Sequence, residues 1–323
     1  MSFIDFMDSR KRNESNIRGT LFLLFVLVVG GMTALSSFRV AVDSEAVDAV
    51  ENATDILGNW PRNESPQMPE SLNLGGEEVP LDAFGVREQL DRELVVNAYR
   101  HGSTMLYMKR AARWFPMIES ILDEQGVPND MKYLAVIESG LTQVVSPAGA
   151  AGFWQFMKGT APQFGLRISA DVDERYHIEK STRAACDYLL QAKEQFGSWS
   201  LAAASYNMGM AGVERELEEQ GVQTYWELHL NAETARYVYR LLAIKTIFES
   251  PAQYGFSLGP ESLYRPYRLT RNWVSDAIPD LAKFALEQGS NLKELKTLNP
   301  WLRKDRLSLS QGDSLLILLP EVE

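Results

Sequence analysis

The sequence predicts a mainly α-helical protein, with one helical domain followed by a small α+β module and an N-terminal transmembrane helix or signal ahead of both. Three observations carry this. Between about residues 86 and 254 apolar residues recur at three- and four-residue intervals, punctuated by Gly and Pro. Beyond residue 270 the pattern becomes two short helical runs and one apolar run preceded by turn residues. Residues 17–38 form the most apolar stretch, with basic residues before it and acidic residues after it.

That N-terminal stretch has an uncharged core from Leu21 to Val29, preceded by Arg10, Lys11, Arg12 and Arg18 and followed by Asp43, Glu45 and Asp48. A basic leading flank keeps the N-terminus in the cytoplasm and exports the chain beyond the apolar stretch. Residues 1–18 are then a cytoplasmic N-terminus. Residues 19–38 reach the length of about 20 residues that a spanning helix needs, while Ala34-Leu35-Ser36 would serve as a signal cleavage site. Transmembrane anchor and cleaved signal both stand as readings, and both export the body of the protein. Residues 39–85 are acidic, rich in Asn, Pro, Gly and Ser, and weakly periodic, which reads as a linker.

Within the helical region, Met108, Ala112, Phe115, Ile118 and Leu122 fall on one face, and Gly126 and Pro128 stop that helix. Asn129 or Asp130 caps the next, which carries Leu134, Val136 and Ile137 and ends at Gly140. Ala185, Leu189, Ala192 and Phe196 mark another helix, ended by Gly197. Ser198 or Ser200 caps the helix of Leu201 and Tyr206, and a last helix covers about residues 232–248, before Pro251. Short links between these segments predict one all-α domain over residues 86–254. Residues 255–270 lack a helical pattern and read as a second linker. Residues 271–323 hold helical runs at 280–285 and 291–298, the latter stopped by Asn299-Pro300, then a strand at 315–319 after the turn Gln311-Gly312-Asp313.

Composition excludes some functions. The net charge of −11 would repel duplex nucleic acid. A single cysteine, Cys186, rules out an internal disulfide and reads as a small packed hydrophobe. His101, His177 and His229 lie far apart in sequence and nothing has a zinc-site spacing, so neither metal nor cofactor is expected.

The chemistry lies in four ordered stretches: Glu138-Ser139-Gly140; Gly152-Phe153-Trp154-Gln155-Phe156-Met157; Ser205-Tyr206-Asn207; and Glu233-Thr234-Ala235-Arg236-Tyr237-Val238. Glu138 sits in the last turn of its helix, where the negative dipole end disfavours a carboxylate. The preceding Ala135-Val136-Ile137 promises partial desolvation. Both raise its pKa, as a general acid working near neutrality requires. Taken singly, Glu138 is also an ordinary helix-end glutamate. Tyr206 and Tyr237 are also core aromatics with satisfied hydroxyls, and Asn207 a helix C-cap.

Together the stretches resemble, over about residues 100–250, the motifs of soluble-type lytic transglycosylases (the SLT domain of glycoside hydrolase family 23), and most of all their membrane-bound D-type branch. The resemblance implies a lysozyme-like catalytic domain with Glu138 as the single catalytic residue. It implies a sugar cleft lined by Ser146, Gln155, Met157, Tyr206, Asn207 and Tyr237. The partner would be peptidoglycan glycan strands, cut at the β-1,4 bond between N-acetylmuramic acid and N-acetylglucosamine to leave 1,6-anhydro ends. The protein would lie in the bacterial cell envelope, anchored in the inner membrane through residues 19–38 or secreted, with its catalytic domain in the periplasm. The sequence departs from the family at Ser205, where Ala is usual, and at Met208-Gly209-Met210-Ala211-Gly212, which lacks the usual Glu. Its interval from Glu138 to Ser146 is also one residue short of that in many relatives.

Two rivals remain. A hydrolytic muramidase like goose-type lysozyme needs a second acid to hold water. Asp171, Asp173 and Glu174 are the candidates, although Asp173-Glu174-Arg175 also reads as a loop ion-pair cluster. A non-catalytic wall-binding scaffold would rely on the C-terminal module, which resembles a LysM peptidoglycan-binding repeat at residues 291–300 and 312–320 and departs from it at 274–278. That module either binds glycan or only packs on the catalytic domain, and Trp273 and Trp301 either stack on sugars or fill its core.

Overall fold

The computed structural model describes residues 64–310 and 312–321. The cytoplasmic N-terminus, the candidate membrane segment 19–38, most of the first linker and Gln311 of the predicted turn lie outside the described residues. Among those described, no helix is long and apolar enough to cross a membrane. All elements below belong to one unit, residues 65–323.

The C-terminal end of the stretch expected to be linker is packed. Strands β1 (Asn73–Leu74) and β2 (Glu77–Glu78) form a hairpin through Gly75 and Gly76, both at positive φ. Leu72, Leu74, Val79 and Leu81 enter the main core. Two-residue strands leave no periodicity to read, and polar anchors distant in sequence hold this hairpin. The Glu77 carboxylate accepts from the Trp199 amide at 2.8 and 2.9 Å. Lys245 donates to the Asn73 carbonyl at 2.8 Å and to Asp130 at 2.8 Å.

Helices α1 (Val86–Tyr99) and α2 (His101–Gln125) come next, the second ending at Gly126 in the left-handed conformation. The buried face of α2 carries Met108, Phe115, Ile118 and Leu122 as expected, with Ala111 buried and Ala112 half-buried. Helix α3 (Lys132–Ser139) starts after a short 3-10 turn and ends at Gly140. Neither Asn129 nor Asp130 caps it. Asp130 instead accepts from the Gly75 amide at 2.8 Å and from Lys245, so a long-range partner outcompetes the local one.

Helix α4 (Ile178–Phe196) buries Ala185, Leu189 and Ala192 and ends at Gly197. Ser198 caps α5 (Trp199–Met208), which is followed by α6 (Met210–Gln220) and α7 (Thr234–Glu249). Helix α7 is buried along most of its length and packs on α1, α3 and α5, which makes it the spine of the domain. Cys186 is fully buried beside Ala185, and burial pushes its thiol up to about 12, which suits packing rather than nucleophilic attack. Residues 255–270 run back along α2. Phe256 is buried, the Tyr264 amide donates to the Lys109 carbonyl, and Arg113 donates to Tyr267 Oη at 2.8 Å.

In the C-terminal module, β3 (Leu269–Val274) pairs antiparallel with β4 (Leu315–Pro320), joined through α8 (Leu281–Glu287) and α9 (Leu292–Leu298). Strand β3 has no counterpart among the sequence expectations because none of its residues is fully buried, so it shows no apolar alternation. Leu315, Ile317 and Leu319 of β4 face inward onto Leu281, Ala285 and Leu295. Asn299, fully buried, acts like an extra strand residue: its amide donates to the Leu318 carbonyl at 2.6 Å and its oxygen accepts from the Leu318 amide at 2.8 Å. The module's core is shared with Ala151, Val172 and Tyr176 of the helical domain. The Asp173 amide bonds to the Trp301 carbonyl at 2.9 Å and the Arg303 amide to the Asp171 carbonyl at 2.8 Å. The module therefore packs on the helical domain, and of the two tryptophans Trp301 fills the core while Trp273 lies exposed.

Candidate active site

The site grows from the end of α3. Gly140 closes the helix by donating to the Val136 carbonyl at 2.8 Å, and a Cβ there would run into Tyr107. Leu141 is next, at φ 56°, a strained conformation for a leucine and of the kind that gathers at functional sites. Ser139 Oγ ties the helix end to the next loop through the Phe153 carbonyl at 2.8 Å. Glu138 sits in this last turn, partly open to solvent.

Burial raises the Glu138 carboxyl from an ordinary 4.5 to about 7. The Tyr237 hydroxyl, donating to Glu138 Oε1, pulls it down, as does the positive charge of Arg240, while Glu233 pushes it up. The outcome is an acid with a substantial protonated fraction at neutrality. Tyr237 sits on α7, buried to 2% exposure, so its hydroxyl has little freedom to look elsewhere. Because Tyr237 favours the carboxylate that remains after proton transfer, Tyr237→Phe is expected to lower the rate about tenfold. It should also move the alkaline limb of the pH–rate profile to higher pH, since Glu138 would hold its proton longer. Initial rates between about pH 5 and 9, a range that brackets the working window of such acids, check both effects.

A second carboxylate stands behind this pair. Glu93 on α1 is 1% exposed and accepts from Arg236 Nε at 2.6 Å, while its other oxygen faces Arg240 Nε at 3.8 Å. It holds Arg236, the residue before Tyr237, and faces Arg240, three residues after it. Sequence reasoning missed it. The available signal was a glutamate beside Leu90 and Leu94, on the apolar face of α1.

Residues 144–156 form a tight loop beside Glu138. Gly152, at φ 83°, donates to the Val144 carbonyl at 3.0 Å, and a Cβ on it would lie 2.0 Å from the Arg175 carbonyl oxygen. Gln155 is held at φ 49° while its side-chain amide donates to the Gly152 carbonyl at 2.7 Å. Ser146 spends its hydroxyl inside the loop, accepting from the Ala150 amide at 3.0 Å. Arg175 grips the loop from behind, donating to the Gly149 and Phe156 carbonyls at 2.9 and 3.2 Å, and Asp173 holds its guanidinium at 2.7 Å.

Gln155, Met157, Tyr206 and Asn207 come together around a pocket of about 240 Å³. Tyr206 donates to the Trp154 carbonyl at 2.8 Å, with its ring set against Trp154, Phe156 and Tyr188. Burial first, then the nearby Glu138 charge, push its hydroxyl well above the usual range, so it serves as a donor. Asn207 does not cap α5, which ends at Gly209 without a side-chain cap. It accepts from the Thr234 hydroxyl at 2.8 Å, which fixes the start of α7.

The three rival carboxylates are otherwise engaged. Asp173 holds Arg175. Glu174 accepts from the Arg167 amide at 2.8 Å and from Lys180 at 2.6 Å. Asp171, its carboxyl lowered chiefly by Ser308, anchors the C-terminal module. Asp173 and Glu174, with Arg175 and Lys180, form the ion-pair cluster that backs the loop. Among the described residues no cluster of side chains is arranged to hold a metal ion.

Residues 116–229 match the transglycosylase SLT domain, and residues 270–323 match the soluble lytic transglycosylase C-terminal LysM-like domain. The chain is 29% identical over 231 residues to membrane-bound lytic murein transglycosylase D of Escherichia coli, an alignment covering 70% of this chain and 50% of that protein. It is 28% identical over 116 residues to a tributyltin chloride resistance protein of an Alteromonas species, covering 35% of this chain and 56% of that one. The chain thus spans about half the length of the curated relatives it matches. A solved structure of an inactive mutant of the lytic transglycosylase Slt from Pseudomonas aeruginosa superposes with a TM-score of 0.38 at 21% identity, over 56% of this chain and 35% of that one. By these sequence matches the helical region around Glu138 is similar to the transglycosylase SLT domain, and the module that follows it to the LysM-like domain of soluble lytic transglycosylases.

Proposed function

We propose that this protein is a lytic transglycosylase of bacterial peptidoglycan, with Glu138 as its single acid and base. The observation that carries this reading is a carboxyl held at about 7 by burial, with the Tyr237 hydroxyl on one of its oxygens. The Glu138 proton passes to the oxygen linking N-acetylmuramic acid to N-acetylglucosamine, and the C1–O bond breaks. The substrate's own 2-acetamido group bonds to C1 and disperses the positive charge. Glu138, now a carboxylate, takes the proton of the C6 hydroxyl, whose oxygen closes on C1 and releases the acetamido group. The product is a 1,6-anhydro sugar, no water is consumed, and Glu138 ends protonated. An internal nucleophile has a high effective concentration, so a second catalytic carboxylate is not needed. Ordinary glycosidases place two carboxylates across the bond, whereas here Asp171, Asp173 and Glu174 are committed to the loop and the module.

In this reading the pocket of Gln155, Met157, Tyr206 and Asn207 receives part of the glycan strand. Ser146 keeps the loop in shape and borders the strand. The lysozyme-like fold, anchoring through residues 19–38 and a periplasmic location belong to the same proposal. They are supported by the basic flank of that segment and by the similarity to a membrane-bound relative.

The test is mass spectrometry of fragments released from purified peptidoglycan by the full chain. Anhydro-muramyl ends, lighter by one water than reducing ends, are the expected product. Reducing ends would replace the proposal with a hydrolytic muramidase, and binding without release would replace it with a scaffold.

A further inference from the structure

The buried carboxylate behind Tyr237 is unequally served. Positions 236 and 240 of α7 are neighbours on the helix surface, and both side chains reach Glu93 of α1. Glu93 Oε1 accepts from Arg236 Nε at 2.6 Å and from Arg92 at 3.4 Å. Glu93 Oε2 is buried with no hydrogen-bond donor among the described residues. Arg240 Nε stands 3.8 Å from it, beyond hydrogen-bonding distance.

Three guanidiniums thus face one carboxylate, and a guanidinium keeps its charge. Arg236 is committed to its short bond, and Arg92 reaches Glu93 from the solvent side, its side chain 52% exposed. Arg240 is held loosely, lies one turn after Tyr237, and its charge acts on the Glu138 carboxyl. The other titratable groups that face Glu138 are Tyr237 of α7, Tyr206 of α5 and Glu233 just ahead of α7. Glu233 has Asn207 Nδ2 at 3.5 Å, and from α2 Arg110 is bound to the Gly140 carbonyl at 3.0 Å.

We propose that Arg240 and Glu93 are a pair of positioning residues for the acid step: Arg240 supplies the counter-charge to the Glu138 carboxylate left after proton transfer, and Glu93 sets how much of that charge Glu138 feels. Glu93 keeps the guanidinium on this face of α7 and neutralises part of it. An arginine bonded directly to Glu138 would hold it ionised and leave no proton to give. One set back and partly neutralised favours the carboxylate without abolishing the acid. Arg240 and Glu93 therefore act on one acid with opposite signs. The role rests on Glu138 being the acid, as proposed above; the geometry of the cluster does not.

The test follows the Glu138 titration in the full chain by two routes. One is the alkaline limb of the rate of anhydro-fragment release; the other is the infrared carboxyl band that Glu138→Gln removes. Arg240→Gln should move both to higher pH by about half a unit or more, less than a fully buried contacting charge would give, because the side chain is partly exposed. Arg240→Lys keeps the charge and should return both towards the wild type. Glu93→Gln leaves the guanidiniums less neutralised and should move both to lower pH. Arg240 is loosely held, so its variants should melt near the wild type, and if Glu93→Gln does not fold the two Arg240 variants decide the proposal by themselves. A purely structural Arg240 would lower the rate with the titration unmoved, which overturns the proposal, as do equal shifts from Arg240→Gln and Arg240→Lys. Shifts of the same sign from folded Glu93→Gln and Arg240→Gln overturn the pairing. Absence of anhydro ends from the wild type would be a failure of the proposed reaction, and the infrared titration would still read the effect of the cluster on Glu138.

Discussion

Glu138→Gln is expected to lower the release of anhydro fragments by roughly a thousandfold or more, since the amide neither donates the proton nor takes one back. The change is nearly isosteric. Its amide oxygen still accepts from Tyr237, so glycan binding and the fold should persist. Stability supplies a second readout, with a definite sign. The carboxyl rises from 4.5 when unfolded to about 7 when folded. The folded state therefore binds the proton more tightly. That advantage is fully present below pH 4.5 and is lost as pH rises through 7. Above about pH 8 the wild type carries a buried charge costing up to about 3 kcal/mol, and the Gln variant does not. Melting curves should show the variant more stable at about pH 8.5 and little different at about pH 4. Retained turnover would remove Glu138 from the mechanism. Equal melting temperatures on the alkaline side would mean that its carboxylate is better solvated than the site implies.

The second large effect is structural. Gly152→Ala would put a methyl group 2.0 Å from the backbone oxygen of Arg175, at a φ of 83° that alanine seldom adopts. Backbone atoms on both sides leave nothing soft to yield, so the loop must move. We expect a loss of about 3 kcal/mol or more together with most of the activity, because Gln155 and the Ser139 contact to Phe153 depend on the same loop. Gly149→Ala is the control. Its φ is 88° but no atom lies within 4 Å of the added carbon, so only the conformational cost of about 1 kcal/mol should appear. Chemical denaturation of the two variants separates collision from backbone strain. Equal effects would show that conformation alone matters at both positions.

One physical distinction separates the features legible in the sequence from those hidden in it. Helix ends at Gly126, Gly140 and Gly197 are local events, decided by a residue that tolerates positive φ, and they were legible. Glu138 was legible for the same reason, since a helix end and three apolar neighbours lie within its own turn. Asp130, Glu77 and Glu93 were not. Each is defined by a partner far along the chain: Lys245, Trp199 and Arg236. Strand β3 was hidden because its hydrogen bonds to β4 do not depend on side-chain polarity. The roles of Trp273 and Trp301 divided only when the fold placed one outside and one inside.

The short segment from Arg167 to Tyr176 faces two ways. On one side Arg175 grips the carbonyls of the loop beside Glu138. On the other, Asp171, Val172 and Asp173 are stitched to Arg303, Leu302 and Trp301, with Arg303 lying 4.1 Å over the Tyr176 ring. The C-terminal module is thus a retaining wall for the loop beside Glu138 as well as an appendage. A chain cut before β3 would leave Ala151, Val172 and Tyr176 without cover and the Arg175 clamp without backing. Any module exchanged into this position, by evolution or by an engineer, has to reproduce that seam before it can contribute a binding preference of its own.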